Sequence, residues 1–233
     1  MIVRSETDQL NKVIIHEPDF GIEKVTPEIA EELLYDDIVY LPRMIEEHRV
    51  FTASLKKFLG AENVLEFEDL LLEVLKIEHV KQLILDEVVE LEKISKAFRA
   101  FLNTLDAKEL SRALTTGFSF GAVEELNPLP NLIFTRDIGI VVNDHLVLNK
   151  PARLARSRES LLAKYVFFNH PIFENLRGKI IEIEEDEMHF LLPEDEQALK
   201  LETLEGGDVM MVAPNHLMIG ISERTSVEAG RQL

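Results

Sequence analysis

The chain has 233 residues and a formal net charge of −18 at neutral pH, with 46% apolar and 29% charged residues. This length and composition are typical of one large or two modest globular domains. The negative charge argues against non-specific binding to nucleic acid and is compatible with a small cationic ligand. Because the sequence contains no cysteine, these residues supply no disulfide, no thiolate metal ligand and no thiol nucleophile.

The first residues and the hydropathy of the chain predict its location. The opening stretch, MIVRSETDQL, does not have the basic segment and apolar run of a signal peptide. No uncharged apolar run approaches the roughly 20 residues that a membrane-spanning helix needs. We therefore expect a cytoplasmic protein that does not contact membranes.

Local patterns predict two strands and two helices in the first 67 residues. Thr26 precedes Pro27, a pair typical of an N-cap and the first position of a helix. After Pro42, apolar residues recur at three- and four-residue steps until Gly60, which can end a helix. The predicted elements are a strand at 11–15, a helix from Pro27 to Tyr35, a helix from Pro42 to Gly60, and a strand at 63–67.

The next stretch has a helical character throughout. Residues 68–114 contain neither proline nor glycine, and their apolar residues recur at helical spacing among charges. Asp106 and Glu109 have the spacing of a capping box, which predicts a helix start. We interpret this stretch as a small helical bundle inserted between two α/β regions, bounded by the turn-rich segments 115–121 and 127–131.

Strand signals return after Pro130. Asn143 and Asp144 separate two β-branched runs and predict a hairpin turn, and Asn215 predicts a second one. The order strand, strand, helix, strand then begins to recur. The predicted elements are strands at 131–135, 138–142 and 145–149, a helix at 157–168, a strand at 179–185, and strands at 208–214 and 216–222.

Two polar stretches in these strand regions are candidates for a binding site. Asp137 follows Arg136 at the end of a predicted strand, where a carboxylate can be presented to a ligand. Glu205 and Asp208 flank two glycines, which allow a ligand close to the backbone, and carboxylates in a cleft bind cations or exchange protons. The alternatives are a surface salt bridge or turn cap at 136–137 and a β-bulge at 205–208.

Two arginine-containing stretches could bind an anion. Arg224 lies among hydroxyl residues and could hold a carboxylate through two hydrogen bonds. The alternative is a helix N-cap at Ser222 or Thr225 beside an exposed arginine. The segment 151–160 carries Arg153, Arg156 and Arg158, which could bind an anionic group or pair with the protein's own acidic surface.

The histidines do not indicate a metal site. No pair of them has metal-ligand spacing, so each is interpreted as structural or solvated. The seven are His16, His48, His79, His145, His170, His189 and His216.

Together these stretches resemble the arginine deiminase family, within the superfamily of enzymes that modify guanidino groups. The resemblance rests on PLPNLIFTRD, LEGGDVM and GISERTS, in that order, and on LNKVIIHEPDF, LLYDDIVY and EEHRVF near the start. It covers nearly the whole chain. The helical stretch resembles the deiminases rather than the amidinotransferases or the dimethylarginine hydrolases of the same superfamily.

The resemblance implies a fold class: an α/β, pentein-type propeller built from ββαβ units around a central site, with an inserted helical bundle. This chain would hold part of that ring. Its divisions would be a first ββαβ unit at 1–67, the helical bundle at 68–117, and a second unit with an incomplete third at 118–233.

The resemblance also implies roles for individual residues. Asp137 would hold a substrate guanidinium through two hydrogen bonds, and Glu205 would contact the same group and orient a catalytic histidine. The carboxylate of L-arginine would be bound by Arg224 and by Arg156, with Arg158 as a less favoured choice. The residues expected to line the pocket are Asn131, Phe134 and Asp208. The resemblance implies no cofactor and no metal.

One departure from the family is informative. Deiminases of this kind attack the guanidinium carbon with a cysteine thiolate and use a histidine followed two residues later by an aspartate, and the chain stops before these positions. Serine is a poor substitute because its hydroxyl needs a base to ionise. We therefore expect this chain to be part of an arginine deiminase that is truncated or split and is inactive alone. Its closing stretch, VEAGRQL, resembles a helix start. The alternatives are a non-catalytic relative that binds guanidino compounds or regulates a partner, and an interaction protein. We expect a homo-oligomer or a missing C-terminal part.

Overall fold

The computed structural model describes residues 2–35, 38–121, 124–184 and 202–233 and has mixed helix and strand content with small sheets. This bears out the α/β class. Within these ranges, no helix is both long enough and apolar enough to cross a membrane.

The first region pairs two strands that are distant in sequence. Strand β1 (Val13–Ile15) lies parallel to β2 (Val64–Glu66), with Val13 opposite Val64. Between them lie the short helix α1 (Phe20–Glu23) and the long helix α2 (Leu41–Leu59), which ends at a glycine as predicted.

The predicted helix from Pro27 to Tyr35 is wrong. These residues form successive turns, in which Leu34 has a φ of 54° and the Tyr35 amide donates to the carbonyl of Ala30. Leu33 and Tyr35 are buried in a small apolar cluster with residues of α1 and α2. This tertiary packing overrides the local helix signal of Thr26-Pro27.

Four helices follow, within residues 67–116. Asp106 and Glu109 form the predicted capping box, and Ser95 caps another of the helices by accepting from the Phe98 amide. Their apolar faces pack together because side chains three and four residues apart lie on one side of a helix. The helices are α3 (Phe67–Leu75), α4 (Glu78–Glu92), α5 (Lys96–Thr104) and α6 (Ala107–Thr116).

The segment after α6 contains more regular structure than its turn residues indicated. Strands β3 (Phe118–Phe120) and β4 (Glu124–Leu126) form an antiparallel pair. The ring of Phe120 stacks on Phe98 of α5 with centroids 4.8 Å apart. This aromatic contact anchors the strand pair to the helices.

The predicted strand at 131–135 is also wrong. Two successive 3-10 turns occupy this stretch, at Pro130–Ile133 and Thr135–Ile138. The Phe134 amide donates to the Asn131 carbonyl, and the Thr135 hydroxyl donates to the Ile14 carbonyl of β1. Leu132 is buried and Phe134 is half exposed, and this stretch contacts neighbouring elements instead of joining a sheet.

A complete strand–strand–helix–strand unit comes next. Strands β5 (Gly139–Val142) and β6 (His145–Leu148) form the predicted hairpin, and Asn143 has the positive φ, 52°, that its turn requires. Helix α7 (Ser157–Asn169) then leads to β7 (Ile180–Ile181), which pairs parallel with β6. Strand β7 is shorter than predicted, and residue 185, the end of the predicted strand, lies outside the described residues.

The final described segment forms a second hairpin. Strands β8 (Val209–Ala213) and β9 (His216–Ile219) are antiparallel, close to the predicted ranges, and helix α8 (Val227–Gln232) follows. Lys150, two residues after β6, and Leu204 form an isolated antiparallel bridge between the strand–strand–helix–strand unit and this segment. That bridge brings the Glu205 stretch beside the Asp137 stretch.

Candidate functional site

Asp137 joins the two polar stretches that the sequence singled out. Its Oδ1 atom accepts a hydrogen bond from the Gly207 amide at 3.0 Å, and its Oδ2 atom accepts from Arg156 Nη1 at 3.0 Å. Asp137 lies on the second 3-10 turn, and Gly207 on another 3-10 turn at Gly206–Asp208. These turns and the start of α7 thus meet at one carboxylate.

Gly206 explains why one glycine is needed here. A Cβ atom at this position would lie 2.0 Å from the carbonyl oxygen of Arg136, a distance no side chain tolerates. Arg136 Nε in turn donates to the Gly206 carbonyl at 3.1 Å, and its other nitrogens pair with Glu6. The ion pair of Arg136 is therefore with Glu6 and not with Asp137, and 205–208 is a tight turn rather than a β-bulge.

Arg156 is the centre of the charged cluster. It is 4% exposed and lies at the N-terminus of α7. Its Nε and Nη2 atoms donate to Glu159 Oε2 at 3.1 and 3.0 Å, while Nη1 points to Asp137 and lies 3.7 Å from Glu205 Oε2. Burial opposes its charge, but Glu159 and Asp137 outweigh that effect and raise the pKa of Arg156.

Glu205 connects this cluster to the 221–226 stretch. The Glu205 side chain is buried, and its Oε2 atom lies 3.2 Å from Arg224 Nη1. Its backbone amide donates to the Thr225 hydroxyl at 3.1 Å. The Arg224 side chain is 45% exposed, so its guanidinium borders solvent as well as the cluster.

Asp208 holds the same stretch from the other side. Its Oδ2 atom accepts hydrogen bonds from Ser222 Oγ at 2.9 Å and Thr225 Oγ1 at 2.7 Å. Neither hydroxyl residue is the N-cap of α8, because Ser226 occupies that position and accepts from the Ala229 amide. The alternative N-cap prediction is therefore wrong, and Asp208 fixes the loop that carries Arg224.

A cavity of about 370 Å³ opens beside Asp137. Phe134, half exposed, lines it together with Gly207 and the strand β1. Asn131 does not line this cavity. Its side chain is buried and donates to the Leu33 carbonyl at 2.7 Å, which attaches the first 3-10 turn to the turns before α2.

The cluster contains more carboxylates than guanidinium groups, and two of its carboxylate oxygens are unpaired within the described part of the chain. Glu159 Oε1 and Glu205 Oε1 are buried and have no hydrogen-bond partner among the described residues. When ionised, Asp137, Glu159 and Glu205 outnumber the guanidinium groups of Arg156 and Arg224. Burial raises the pKa of Glu159 to about 7, although Arg156 opposes the shift. Such a surplus of buried acceptors suits a further cation that carries several N–H donors.

Arg158 lies elsewhere, although it is only two residues from Arg156. It is 1% exposed, donates through Nε to the Leu114 carbonyl at 3.0 Å, and also bonds Glu92 and the Asn127 carbonyl. Its guanidinium therefore faces helices α4 and α6. Of the two arginines, Arg156 is the one that contacts Asp137.

His16 forms a separate buried charge group at the cavity wall. Its ring nitrogens lie 2.9 Å from Glu66 Oε1 and 3.4 Å from Asp19 Oδ2. Burial opposes protonation, but these two carboxylates outweigh it and raise the pKa of His16 to about 9. The structural interpretation of this histidine agrees with these contacts.

Sequence reasoning missed Glu159. The available signal was its position three residues after Arg156 at the start of a predicted helix, a spacing that brings two side chains together.

The described residues include no group of three or more histidine, aspartate or glutamate side chains that could hold a metal ion.

The fold and the site together define a class of protein: an α/β protein in which three carboxylates, two of them buried, surround a guanidinium. The family model for arginine deiminase matches residues 31–125 and 121–233. The chain belongs to the arginine deiminase family.

Individual relatives agree with this assignment. The chain is 32% identical to the arginine deiminase of Rhodococcus erythropolis over 96% of its own length, and 29% identical to that of Borrelia duttonii over 97%. It spans 56% and 57% of the length of these relatives. A crystal structure of a dimethylarginine dimethylaminohydrolase adduct with S-methyl-L-thiocitrulline is 27% identical over 44% of this chain and 32% of that chain, with a TM-score of 0.31, too low to define a common fold.

Proposed function

We propose that this chain supplies the guanidinium-binding part of a site that hydrolyses L-arginine to citrulline and ammonia. One observation carries the proposal: the partly exposed carboxylate of Asp137 and the buried carboxylate of Glu205 face one guanidinium nitrogen, Nη1 of Arg156, at 3.0 and 3.7 Å. A position that holds one planar guanidinium between carboxylates has the chemistry to hold another. Family membership supports the choice of reaction.

Within this proposal, the site residues have distinct roles. Asp137 and Glu205 bind the substrate guanidinium and stabilise its charge. Arg224, half exposed beside Glu205, and Arg156 bind the substrate carboxylate. The other three predicted pocket residues have different roles. Phe134 lines the cavity, Asp208 holds the loop that carries Arg224, and Asn131 holds the turn before Asp137.

The proposed chemistry needs a nucleophile that these 233 residues do not contain. A thiolate adds to the guanidinium carbon, the C–N bond to one terminal nitrogen breaks, and that nitrogen leaves as ammonia after protonation. Water then adds to the same carbon and displaces the thiolate, which leaves citrulline. Since the chain has no cysteine, the thiolate comes from residues outside it, and the chain alone binds arginine without hydrolysing it.

The proposal includes an architecture. The order β5, β6, α7, β7, with one antiparallel and one parallel pairing, supports our assignment of these elements as one ββαβ unit of a pentein-type propeller. The hairpin β8–β9 followed by α8 would begin the next unit, and the helices within 68–117 would be an insertion. The divisions at 1–67, 68–117 and 118–233 belong to this proposal.

The lack of cysteine favours a second candidate function. In it, the chain is a non-catalytic relative that binds arginine or a similar guanidino compound and regulates a partner. Both candidates use the same carboxylates and predict the same ligand. They differ in whether a thiolate supplied from elsewhere produces citrulline.

Calorimetric titration with L-arginine tests the shared step. We expect binding that Asp137→Asn weakens by about tenfold or more, because the amide loses the charge that pairs with the ligand. Asp144→Asn is the matched control, since Asp144 lies in the β5–β6 turn and pairs with Lys179. No heat with L-arginine, or equal weakening by both variants, would overturn the proposal.

A product assay separates the two candidates. The part of the Rhodococcus erythropolis relative that this chain does not match is added to the chain, and citrulline and ammonia are measured. The catalytic candidate predicts both products in equal amounts and their loss in Asp137→Asn. Binding without product, with the added part folded and associated, would favour the non-catalytic candidate.

A further inference from the structure

A segment near the N-terminus lies across both hairpins that flank the site. The Val3 amide donates to the Asn143 carbonyl in the β5–β6 turn at 2.8 Å, and the Glu6 amide donates to the Met211 carbonyl of β8 at 2.9 Å. The Glu6 carboxylate also accepts a hydrogen bond from the Met211 amide at 3.1 Å. The main chain and the side chain of Glu6 are therefore both fixed on β8, which gives its carboxylate a defined position.

Arg136 is the cation that the Glu6 carboxylate holds. Nη1 and Nη2 of Arg136 donate to Glu6 Oε2 and Oε1 at 2.9 and 2.8 Å. Nε donates to the Gly206 carbonyl at 3.1 Å, and Nη2 also bonds the Val209 carbonyl. All three nitrogens of Arg136 thus have acceptors other than Asp137, although Asp137 is the next residue in the chain.

The contribution of this ion pair to stability is small. The side chains of Arg136 and Glu6 are both partly exposed, and ion pairs that face water contribute little to the free energy of unfolding. The hydrogen bond from Glu6 raises the pKa of Arg136 against the effect of burial, and the charge of Asp137 adds to this rise. Asp137 is therefore within electrostatic reach of Arg136 without being paired with it.

A second guanidinium at Asp137 would cancel the surplus negative charge of the site. Asp137 already accepts a hydrogen bond from Arg156, in a cluster of three carboxylates and two guanidinium groups. Among the described residues, Asp137 is the carboxylate besides Glu6 whose charge acts on Arg136. If Glu6 lost its charge, Arg136 would therefore turn to Asp137, and a ligand guanidinium would compete with it for the same oxygens.

We propose that Glu6 is a positioning residue for the guanidinium site: it keeps Arg136 paired elsewhere and so leaves the Asp137 carboxylate available to a ligand cation. This inference rests on the proposed function and adds a residue to it. Glu6 acts through Arg136 and does not contact the ligand. The salt bridge between residues 136 and 137, an alternative that the sequence left open, is the arrangement that Glu6 prevents.

Calorimetric titration with L-arginine tests the role of Glu6. Glu6→Gln should weaken binding by about tenfold, because a charged competitor then occupies Asp137. Urea unfolding should show that the variant remains folded. The matched control is Glu47→Gln, which removes the charge from an exposed ion pair with Arg43 in α2 and should leave the affinity unchanged. Unchanged binding in Glu6→Gln, or equal weakening by both variants, would overturn the inference.

A second substitution separates competition from simple support of the turn. Arg136→Gln, added to Glu6→Gln, removes the competing cation and should improve the affinity of the single variant by about threefold or more. A role limited to bracing the turn predicts the opposite, because Arg136 also holds the Gly206 carbonyl. A double variant as weak as Glu6→Gln, or weaker, would therefore overturn the inference.

The effect of Glu6 should also require the Asp137 carboxylate. In an Asp137→Asn chain there is no charge for Arg136 to neutralise, so adding Glu6→Gln should change the affinity by less than about twofold. A further tenfold loss in that chain would show that Glu6 acts on the ligand by another route and would overturn the inference.

A crystal structure of ligand-free Glu6→Gln shows the competitor directly. We expect an Arg136 nitrogen at about 3 Å from an oxygen of Asp137. If Arg136 stays on the carbonyls of Gly206 and Val209 without approaching Asp137, the inference is wrong. Should Glu6→Gln not fold, Glu6→Asp takes its place in each experiment, because its shorter side chain cannot reach both Nη atoms, and the same rescue by Arg136→Gln is expected.

The two proposals fail in distinguishable ways. If L-arginine does not bind the unmodified chain, the proposed function and this inference both fall. If L-arginine binds and Asp137→Asn weakens it, but Glu6→Gln has no effect, the proposed function stands and Glu6 does not position the site.

Discussion

Two buried arginines, two residues apart, belong to regions with different chemistry. Arg158 is surrounded by helices and satisfied by two backbone carbonyls and Glu92. Arg156 faces a turn region and is shared among three carboxylates, two of which retain a buried oxygen without a partner among the described residues. Acceptors that are fully hydrogen-bonded, as around Arg158, stabilise the fold. Buried carboxylate oxygens without a partner, as around Arg156, can accept hydrogen bonds from a ligand. We therefore assign stability to the Arg158 region and binding to the Arg156 region.

The largest expected effect is the loss of stability in Arg158→Met. The substitution leaves Glu92 and the carbonyls of Leu114 and Asn127 without their donor, and breaking a buried charged group of this kind costs about 3–5 kcal/mol. Urea unfolding measures it. The exposed Arg177→Met should stay within about 0.5 kcal/mol of the parent. If the Arg158 variant were as stable as the parent, the assignment of stability to the Arg158 region would be wrong.

The His16 cluster should give the protein a pH-dependent stability. Because the folded-state pKa of about 9 exceeds the ordinary 6.5, the contribution is full below about pH 6.5 and is lost as pH rises towards 9. The loss amounts to at most about 3 kcal/mol. Urea unfolding at pH 7 and pH 9 should detect this loss. Glu159 has a pKa of about 7, so its own contribution to the free energy of unfolding changes little between these two pH values. His16→Gln should abolish this dependence, and persistence of the full slope would contradict the assignment.

Adjacent glycines allow a sharper test of the turn below Asp137. Gly206→Ala places a Cβ atom against the Arg136 carbonyl and should cost about 2 kcal/mol or more, while also weakening L-arginine binding. At Gly207 the nearest atom to a Cβ is Asp137 Oδ1 at 3.7 Å, an ordinary contact. Gly207→Ala should therefore be nearly neutral in thermal unfolding and in binding. Similar effects of both substitutions would show that the tight turn is not what supports Asp137.

Of the substitutions expected to destabilise the protein, Glu205→Gln should have the smallest effect. Its Oε2 atom lies 3.2 Å from Arg224 Nη1 and 3.7 Å from Arg156 Nη1, and its Oε1 atom has no hydrogen-bond partner among the described residues. An amide therefore loses both charged contacts, and its N–H groups gain no acceptor. We expect L-arginine binding to weaken by about tenfold and the free energy of unfolding to fall by about 1 kcal/mol, because buried N–H groups are left without an acceptor. A large loss of stability with unchanged binding would move Glu205 into the structural class with Arg158.

Local patterns in the sequence predicted the elements whose causes are local. The capping box at Asp106, the Asn143 turn and the helices beginning near Pro42 and Ser157 each follow from a few neighbouring residues. The strand predicted at 131–135 was wrong because contacts with Ile14 and Leu33, which are distant in sequence, hold this stretch in 3-10 turns. The helix predicted from Pro27 to Tyr35 was wrong for a similar reason, since Leu33 and Tyr35 are buried against residues of α1 and α2.

The site was predictable only in part, for a related reason. Asp137, Glu205 and Arg224 were singled out together by resemblance to a family, since nothing local indicates that residues so far apart in sequence meet. The partners of Arg156 depend on the orientation of its guanidinium at the start of α7. That orientation is set by the hydrogen bonds to the buried Glu159. A sequence shows the charges but not which acceptors stay unpaired.

The central claim is that Asp137 and Glu205 bind a ligand guanidinium. A crystal structure of the chain with L-arginine tests it most directly. We predict ligand nitrogens at about 3 Å from oxygens of both carboxylates, with Arg156 Nη1 turned from Asp137 to the ligand carboxylate. L-arginine bound elsewhere, with the pair between Arg156 and Asp137 intact, would contradict the claim.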